Sequence, residues 1–157
     1  MATTYPKFTA RIKGPQEVIF NLIADMPNYG HWLPGSDAFG GTIGVKPYPV
    51  CMGTTYLDAG PAGKRPGSVT EYDFPKHISF HHTMLIKKGL LVADVDVNIR
   101  YTFEPEGSGT FVDRQLELTI KMNGLSKLAM PFVRYAFNKE NVRILRELKR
   151  YVEYSSK

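Results

Sequence analysis

Arg114 is the residue of this sequence that packing alone explains least well. It lies in a run of alternating apolar and polar residues and shares the apolar face with Val112, Leu116 and Leu118. A guanidinium buried on such a face needs a carboxylate, carbonyl oxygens or an anionic group of a ligand. A salt bridge to a neighbouring acid, or a position at a pocket mouth from which the side chain reaches water, is the alternative. Arg114 is therefore a candidate catalytic residue.

His82 and Tyr101 are the other two candidates for proton chemistry. His82 shares a predicted strand face with Phe80 and Met84, whereas His81 points to the opposite face. Because histidine titrates near neutral pH, His82 could act as an acid or a base. A hydrogen-bonded core histidine is the commoner case. Tyr101 lies on the apolar face of another predicted strand.

Large aromatic residues could form the wall of a pocket with a polar rim, as in many ligand sites. The candidates are Trp32, Tyr56, Tyr72 and Tyr101. Core packing explains each of them about as well. Ligand contact by these residues is therefore a hypothesis that only their arrangement in space can support.

The stretch from Leu125 to Tyr154 predicts one long C-terminal helix, because strong helix formers dominate it. Some thirty residues at ~1.5 Å each would span ~45 Å, enough to cross a small domain. At about 100° per residue, one broad face holds the following apolar residues: Phe137, Val142, Ile144, Leu145, Leu148, Tyr151 and Val152. This face should pack on the rest of the chain.

Polar residues interrupt that inner face. Arg134, Asn138 and Asn141 share the azimuth of Leu145, although buried polar groups must be satisfied. Either these three side chains point into a wet cavity, or the helix changes phase at Pro131. In the first case they bind the ligand together with Phe137.

The preceding chain predicts an antiparallel sheet. A short strand, Phe8 to Ile12, is followed by a first helix after Pro15 and a short one through Trp32. The period then changes to two in six stretches: Phe39–Val45, Met52–Asp58, Ser68–Phe74, Ile78–Ile86, Leu91–Phe103 and Thr110–Met122. Turn-rich connectors, including Ala59 through Gly67, predict hairpins with one apolar face for the long helix to cover.

Composition limits the classes of function. The 157 residues suit one domain over 1–157, and no apolar run is long enough to span a membrane. The net charge of +5 includes a helical stripe, Lys139, Arg143, Arg146 and Arg150, for which a solvated face is the first interpretation. The sequence has no basic cluster interleaved with aromatic residues, so nucleic-acid binding is not predicted.

The chain offers little metal or redox chemistry. Four scattered histidines and the single cysteine, Cys51, predict no metal site, no disulfide and no cofactor. The start of the chain lacks a secretory pattern, so a cytoplasmic protein is expected, as a monomer or a homodimer.

Several stretches resemble the SRPBCC superfamily, also called START-like or birch-pollen-allergen-like. Residues 12–32 resemble its opening strand and helix pair, and Gly53-Thr54-Thr55-Tyr56 resembles its third-strand start. Residues 69–75 resemble one of its hairpins, with the Asp73-Phe74-Pro75 stretch at the turn. Gly109-Thr110 opens the last strand, and residues 145–149 resemble its closing helix. The similarity covers nearly the whole chain and is nearest the polyketide cyclase/dehydrase-like branch.

The resemblance implies an α+β helix-grip fold, in which a curved antiparallel sheet of about seven strands wraps around the long helix and encloses a pocket. Members of the superfamily bind apolar small molecules there. The gate and latch sequences of the plant hormone receptors are absent, and Gly60-Pro61-Ala62-Gly63 is a candidate portal in place of the gate. No catalytic set of a family enzyme maps residue by residue.

The leading functional hypothesis is an enzyme that cyclises, dehydrates or isomerises a polyketide-like or other secondary-metabolite substrate. Arg114, His82 and Tyr101 would supply the polar groups, with Asn138 and Arg134 orienting a carbonyl. The alternative is a non-catalytic carrier or sensor of a lipid, quinone or similar ligand, whose basic stripe would be able to touch an anionic membrane. A bare interaction module would have a filled core instead of a pocket.

Overall fold

The described part of the chain forms one antiparallel sheet of eight strands and a long C-terminal helix. A computed structural model describes residues 2–36, 40–60 and 63–155. Its strands are β1 (Ala2–Thr4), β2 (Lys7–Ile12), β3 (Gly41–Lys46), β4 (Thr55–Gly60), β5 (Gly63–Asp73), β6 (His77–Lys88), β7 (Leu91–Glu106) and β8 (Gly109–Met122). Its helices are α1 (Gln16–Ala24), α2 (Met130–Ser155) and two 3₁₀ helices, Met26–His31 and Gly124–Ala129.

The sheet follows hairpin connectivity over most of its width. Its order is β1-β8-β7-β6-β5-β4-β3, and β2 also pairs with β8. The predicted helix-grip architecture is confirmed. The start of the first predicted period-two strand, Phe39, and residues Pro61 and Ala62 of the candidate portal lie outside the described residues.

The two long strands β7 and β8 supply the centre of the core. The predicted apolar face of β7, from Ala93 to Phe103, is buried at every second position. On β8 the buried face includes Arg114 between Val112 and Leu116. Alternation along two adjacent strands is sufficient to direct these side chains inward, because successive strand residues face opposite sides of the sheet.

The helix α2 begins later than predicted and turns a different face inward at its start. Pro131 lies in its first turn, where the missing N–H costs nothing, and the preceding segment is a 3₁₀ helix. Val133 is buried near this end, while Asn141, Leu145, Leu148 and Val152 are buried further along; Arg134 and Asn138 are exposed.

The predicted inner position of Val142 is wrong, because its side chain is exposed. At about 100° per residue, Val142 lies about 60° outside the arc that Asn141, Leu145, Leu148 and Val152 share, so the predicted inner face is too broad.

A correction also applies to the connector predicted from Ala59 through Gly67. Most of it is strand: Asp58 pairs with Arg65, and Leu57 with Pro66. The many Gly and Pro residues favour a loop, but the segment pairs with β4. Its other neighbour, β6, pairs with β5 only from Gly67 onward. Pro66 therefore lies where β5 has one neighbour, a position that tolerates a missing backbone donor.

The far end of α2 is held against the opening of the chain. A Cβ on Gly14 would lie 2.5 Å from Cγ1 of Val152, so the absence of a side chain there allows the close approach. Thr110 Oγ1 donates a hydrogen bond of 2.7 Å to the carbonyl oxygen of Gly14. These contacts fix the helix across the sheet and define the space left between them.

Candidate ligand-binding cavity

Arg114 and Tyr101 lie directly opposite each other on β8 and β7. Arg114 is 6% exposed, and its guanidinium carbon lies 4.9 Å from the centroid of the Tyr101 ring. Nη1 donates a hydrogen bond to the Tyr101 hydroxyl oxygen, and Nε donates one of 2.7 Å to Oδ1 of Asn141. Asn141 is itself oriented by donating to the carbonyl oxygen of Phe137 at 2.7 Å. The strands and the helix together position one buried cation.

This cation has only neutral partners in the described part of the chain. No carboxylate oxygen there lies within 4.0 Å of the Arg114 nitrogens. A buried positive charge without a counter-ion is costly, and hydrogen bonds from neutral acceptors offset only part of that cost. An oxygen anion or a polarised carbonyl placed beside Arg114 would therefore be strongly favoured.

His82 lies on the same concave face, two strands from β8. It is opposite Gly67 on β5, which is in turn opposite Tyr56 on β4. Burial, together with the positive charges of Arg65 and Arg114, lowers the pKa of His82 to about 3. Its Nδ1 is buried and, among the described residues, has no hydrogen-bond partner. At neutral pH the imidazole is therefore uncharged and can donate or accept a hydrogen bond inside the core.

Asp58 is a polar group of this site that the sequence analysis missed. It lies two residues after Tyr56 on β4 and thus on the same face, which was the available signal. Thr42 Oγ1 donates a hydrogen bond of 2.5 Å to Asp58 Oδ1. Burial raises the pKa of the Asp58 carboxyl, against the opposing effects of the Thr42 hydrogen bond and Arg65. A carboxyl group with a raised pKa is a stronger base than an ordinary exposed one, which suits it to accept a proton.

The tyrosines of the site keep their protons. Burial, the leading cause, raises the pKa of Tyr29, Tyr56 and Tyr101. The Tyr56 ring lies over β5, where a Cβ on Gly67 would come within 2.4 Å of its Cζ. Tyr29, which donates to the carbonyl oxygen of Ile23, is a second residue that the sequence analysis did not identify.

These residues surround one cavity between the sheet, the first 3₁₀ helix and the middle of α2. Its volume is about 70 Å³, enough for a few water molecules. It is lined by Met26, Tyr29, Leu33, Tyr56, Asp58, Arg65, Phe80, His82, Ile99, Tyr101, Arg114, Glu140 and Ile144. Because the Arg114 and tyrosine side chains occupy much of the interior, a ligand larger than this must displace side chains to enter.

The structure brings His82, Tyr101, Arg114 and Tyr56 to this cavity, with Asn141 behind Arg114. Other predicted site residues lie elsewhere. The Trp32 ring is buried edge-to-face against Tyr29, and the Tyr72 ring packs in the same way on Phe20. Arg134 and Asn138 are exposed, and Phe137 is partly buried against the core. None of these five lines the cavity, and ligand contact by them stays a prediction.

The described residues, namely 2–36, 40–60 and 63–155, contain neither a metal-binding cluster nor a membrane-spanning helix. No group of three or more His, Cys, Asp or Glu side chains is arranged there to hold a metal ion. No helix within these ranges is both long and apolar enough to cross a membrane.

A curved antiparallel sheet around a long helix, with a polar cluster buried between them, defines a START-like protein of the SRPBCC superfamily. A sequence model of the family described as "Polyketide cyclase / dehydrase and lipid transport" matches residues 6–153. The chain therefore belongs to that family. No curated protein matches the chain in sequence.

Solved structures resemble this fold at low sequence identity. The di-domain ARO/CYC BexL from the BE-7585A biosynthetic pathway matches with a TM-score of 0.71 and 16% identity, covering 96% of this chain and 50% of BexL. A START superfamily protein from Mycobacterium smegmatis gives 0.63 and 14%, covering 96% and 97%. Ara h 8.0201 gives 0.70 and 10%, covering 98% and 99%. At such identities the similarity establishes the fold alone.

Proposed function

We propose that the protein binds an apolar small molecule through a carbonyl or acidic oxygen of that molecule, and catalyses its cyclisation, dehydration or isomerisation. One observation supports this most directly: the buried Arg114 guanidinium faces the cavity, and its partners among the described residues are all neutral. Such a group is preorganised to stabilise negative charge that develops on a substrate oxygen. Membership of a family that includes polyketide cyclases and dehydrases agrees with this chemistry.

The proposed reaction starts with removal of a proton next to a substrate carbonyl. Asp58 would accept that proton, because its raised pKa makes the carboxyl a stronger base than an exposed one. Arg114 would donate hydrogen bonds to the resulting enolate oxygen. Tyr101 and Asn141 hold the guanidinium in place, and neutral His82 offers a further hydrogen bond to the bound molecule.

Binding of an anionic oxygen is tested with benzoate and its uncharged analogue benzamide. We expect the wild-type protein to prefer benzoate by about tenfold or more, since a charge-assisted hydrogen bond contributes ~1.5–3 kcal/mol. Arg114→Met should remove the preference while keeping the side-chain volume. Arg146→Met, at a largely exposed position, is the matched control. A preference for benzamide, or an unchanged preference in Arg114→Met, would overturn the assignment.

Catalysis is tested by native mass spectrometry of protein purified from its own source. A co-purifying compound of a few hundred daltons would be extracted and incubated afresh with wild type and Asp58→Asn. Conversion by wild type but not by the variant supports the enzyme. Recovery of the compound intact supports the alternative, a non-catalytic carrier or sensor of a lipid, quinone or similar ligand. That alternative is favoured by His82 and the lining tyrosines, which remain uncharged at pH 7.

A further inference from the structure

The least expected surface of the molecule is a group of exposed apolar side chains at one end of the sheet. We call Leu90, Leu125, Leu128 and Phe132 the apolar tip. Leu90, in the turn between β6 and β7, is 87% exposed, and Phe132 in the first turn of α2 is 76% exposed. Large apolar groups exposed together mark an interaction site, whereas scattered ones do not.

Hydrogen bonds of one buried serine join the two segments that carry the apolar tip. Ser126 is buried beneath it: its Oγ accepts a hydrogen bond of 3.0 Å from the Val92 N–H and donates one of 3.0 Å to the Leu90 carbonyl oxygen. These bonds fix the β6–β7 turn against the second 3₁₀ helix. Residues three apart in a 3₁₀ helix share one side, so Leu125 and Leu128 face the same way.

Positive charge surrounds the tip. Residues 84–93 contain two lysines and residues 121–139 contain four basic residues, and neither segment contains a single Asp or Glu. All six are exposed: Lys87, Lys88, Lys121, Lys127, Arg134 and Lys139. An acidic residue next to this set is Asp94, which lies one position beyond the first segment and pairs with Lys121 across β7 and β8. Six basic residues against this one acidic residue leave a net positive charge, which favours an anionic partner.

We propose that the apolar tip and these basic side chains dock the protein on an anionic lipid bilayer. Protruding leucine and phenylalanine side chains can enter the acyl boundary, while the lysines contact the lipid phosphates. A second copy of the chain fits less well, because it would bring six further positive charges against this surface. The basic stripe on α2 is a poorer docking surface, because Arg143 is paired with Glu140 and donates to the Pro34 carbonyl oxygen.

Docking at this end would bring the cavity close to the bilayer. The end of β4 at Gly60, the start of β5 at Gly63 and the turn between β6 and β7 lie at the same end of the antiparallel sheet. The cavity residues Asp58 and Arg65 pair two register positions from the Gly60–Gly63 pair. A membrane-bound protein would therefore hold its cavity where an apolar molecule leaves or enters the lipid.

Vesicle co-sedimentation tests the proposal. The vesicles are phosphatidylcholine alone, or phosphatidylcholine and phosphatidylglycerol mixed three to one. We expect binding to the anionic vesicles at low salt and a loss of about tenfold in partition coefficient at about 0.5 M salt, where charges are screened within a few ångströms. Absence of binding at low salt, or equal binding to the uncharged vesicles, would overturn the proposal.

Variants separate the tip from the rest of the surface. Leu90→Ser, Leu128→Ser and Phe132→Ser combined should lower the partition coefficient by about tenfold or more. Tyr154→Ser, at an exposed position near the other end of α2, should leave it unchanged. An unchanged partition coefficient in the triple variant would refute the role of the tip.

Two further measurements separate lipid docking from self-association and from ligand binding. If light scattering finds a dimer that the triple variant loses, and vesicles do not bind, the surface is an interface between copies and the membrane proposal fails. Arg114→Met should bind vesicles like wild type, because the docking surface does not involve the cavity. Failure of ligand binding and failure of docking are thereby distinguishable.

Discussion

Replacing His82 by glutamine should remove a large part of the acid sensitivity of folding. The pKa of His82 is about 3 in the folded protein, against 6.5 as its ordinary value. Between these two pH values the unfolded chain binds a proton that the folded protein does not. The free energy of unfolding therefore rises with pH through this window, and the contribution of His82 is fully present above its ordinary pKa.

The size of the effect follows from that difference. At pH 5, ~1.5 units below the ordinary pKa, the histidine of the unfolded chain is almost fully protonated. This protonation stabilises the unfolded chain and lowers the free energy of unfolding by ~2 kcal/mol relative to pH 7. For a chain of this size the loss corresponds to a decrease of about 6 °C in melting temperature.

The measurement is urea unfolding at pH 7 and pH 5. We expect the stability difference between the two values to be smaller by ~2 kcal/mol in His82→Gln than in wild type. Comparing each protein with itself cancels any loss of packing caused by the substitution. His31→Gln, at an exposed histidine, should retain the wild-type difference. Equal pH dependence in wild type and His82→Gln would refute the neutral, buried imidazole.

Two further predictions concern packing in the interior of the protein. Gly67→Ala should destabilise the protein by ~1–3 kcal/mol, since the added Cβ collides with the Tyr56 ring, whereas Gly30→Ala has open space and should shift the melting temperature little. Leu148→Ala should cost ~2–5 kcal/mol in urea unfolding because Leu148 is fully buried, while Leu128→Ala, at an exposed position, should change stability by less than ~0.5 kcal/mol. If a variant and its control lost similar amounts of stability, packing at the substituted position would not determine the loss.

The sheet could be predicted from the sequence because strand alternation is a local property. The inward positions of β7 and β8, including Arg114 and Tyr101, follow from a period of two along each strand. The β4–β5 hairpin could not be predicted in the same way. Its glycines and prolines favour a loop locally. The segment is a strand because β5 pairs with β4 from Gly60↔Gly63 to Thr55↔Ser68, a contact that local propensity does not show.

The candidate site divides along the same line. The sequence indicates four of the cavity residues. Two are polar residues on an apolar strand face, His82 and Arg114, and two are large aromatic residues, Tyr56 and Tyr101. Asp58 had the same signal, two residues after Tyr56, but a polar residue near the end of a predicted strand is ordinarily exposed. Whether its carboxyl lies in the cavity depends on the curvature of the sheet, which is a property of all the strands together.

The sequence by itself determined which strand residues point inward and that a long amphipathic helix covers them, since both depend on spacing along the chain. Only the tertiary structure decided which polar groups meet. Asn141 reaches Arg114 across 27 positions because α2 crosses the sheet with that face inward, while Arg134, at nearly the same azimuth, is exposed. The face that α2 turns towards the sheet depends on how its start packs, and the periodicity of the helix sequence does not determine it. The packing between sheet and helix therefore decides which groups bind the buried Arg114 guanidinium.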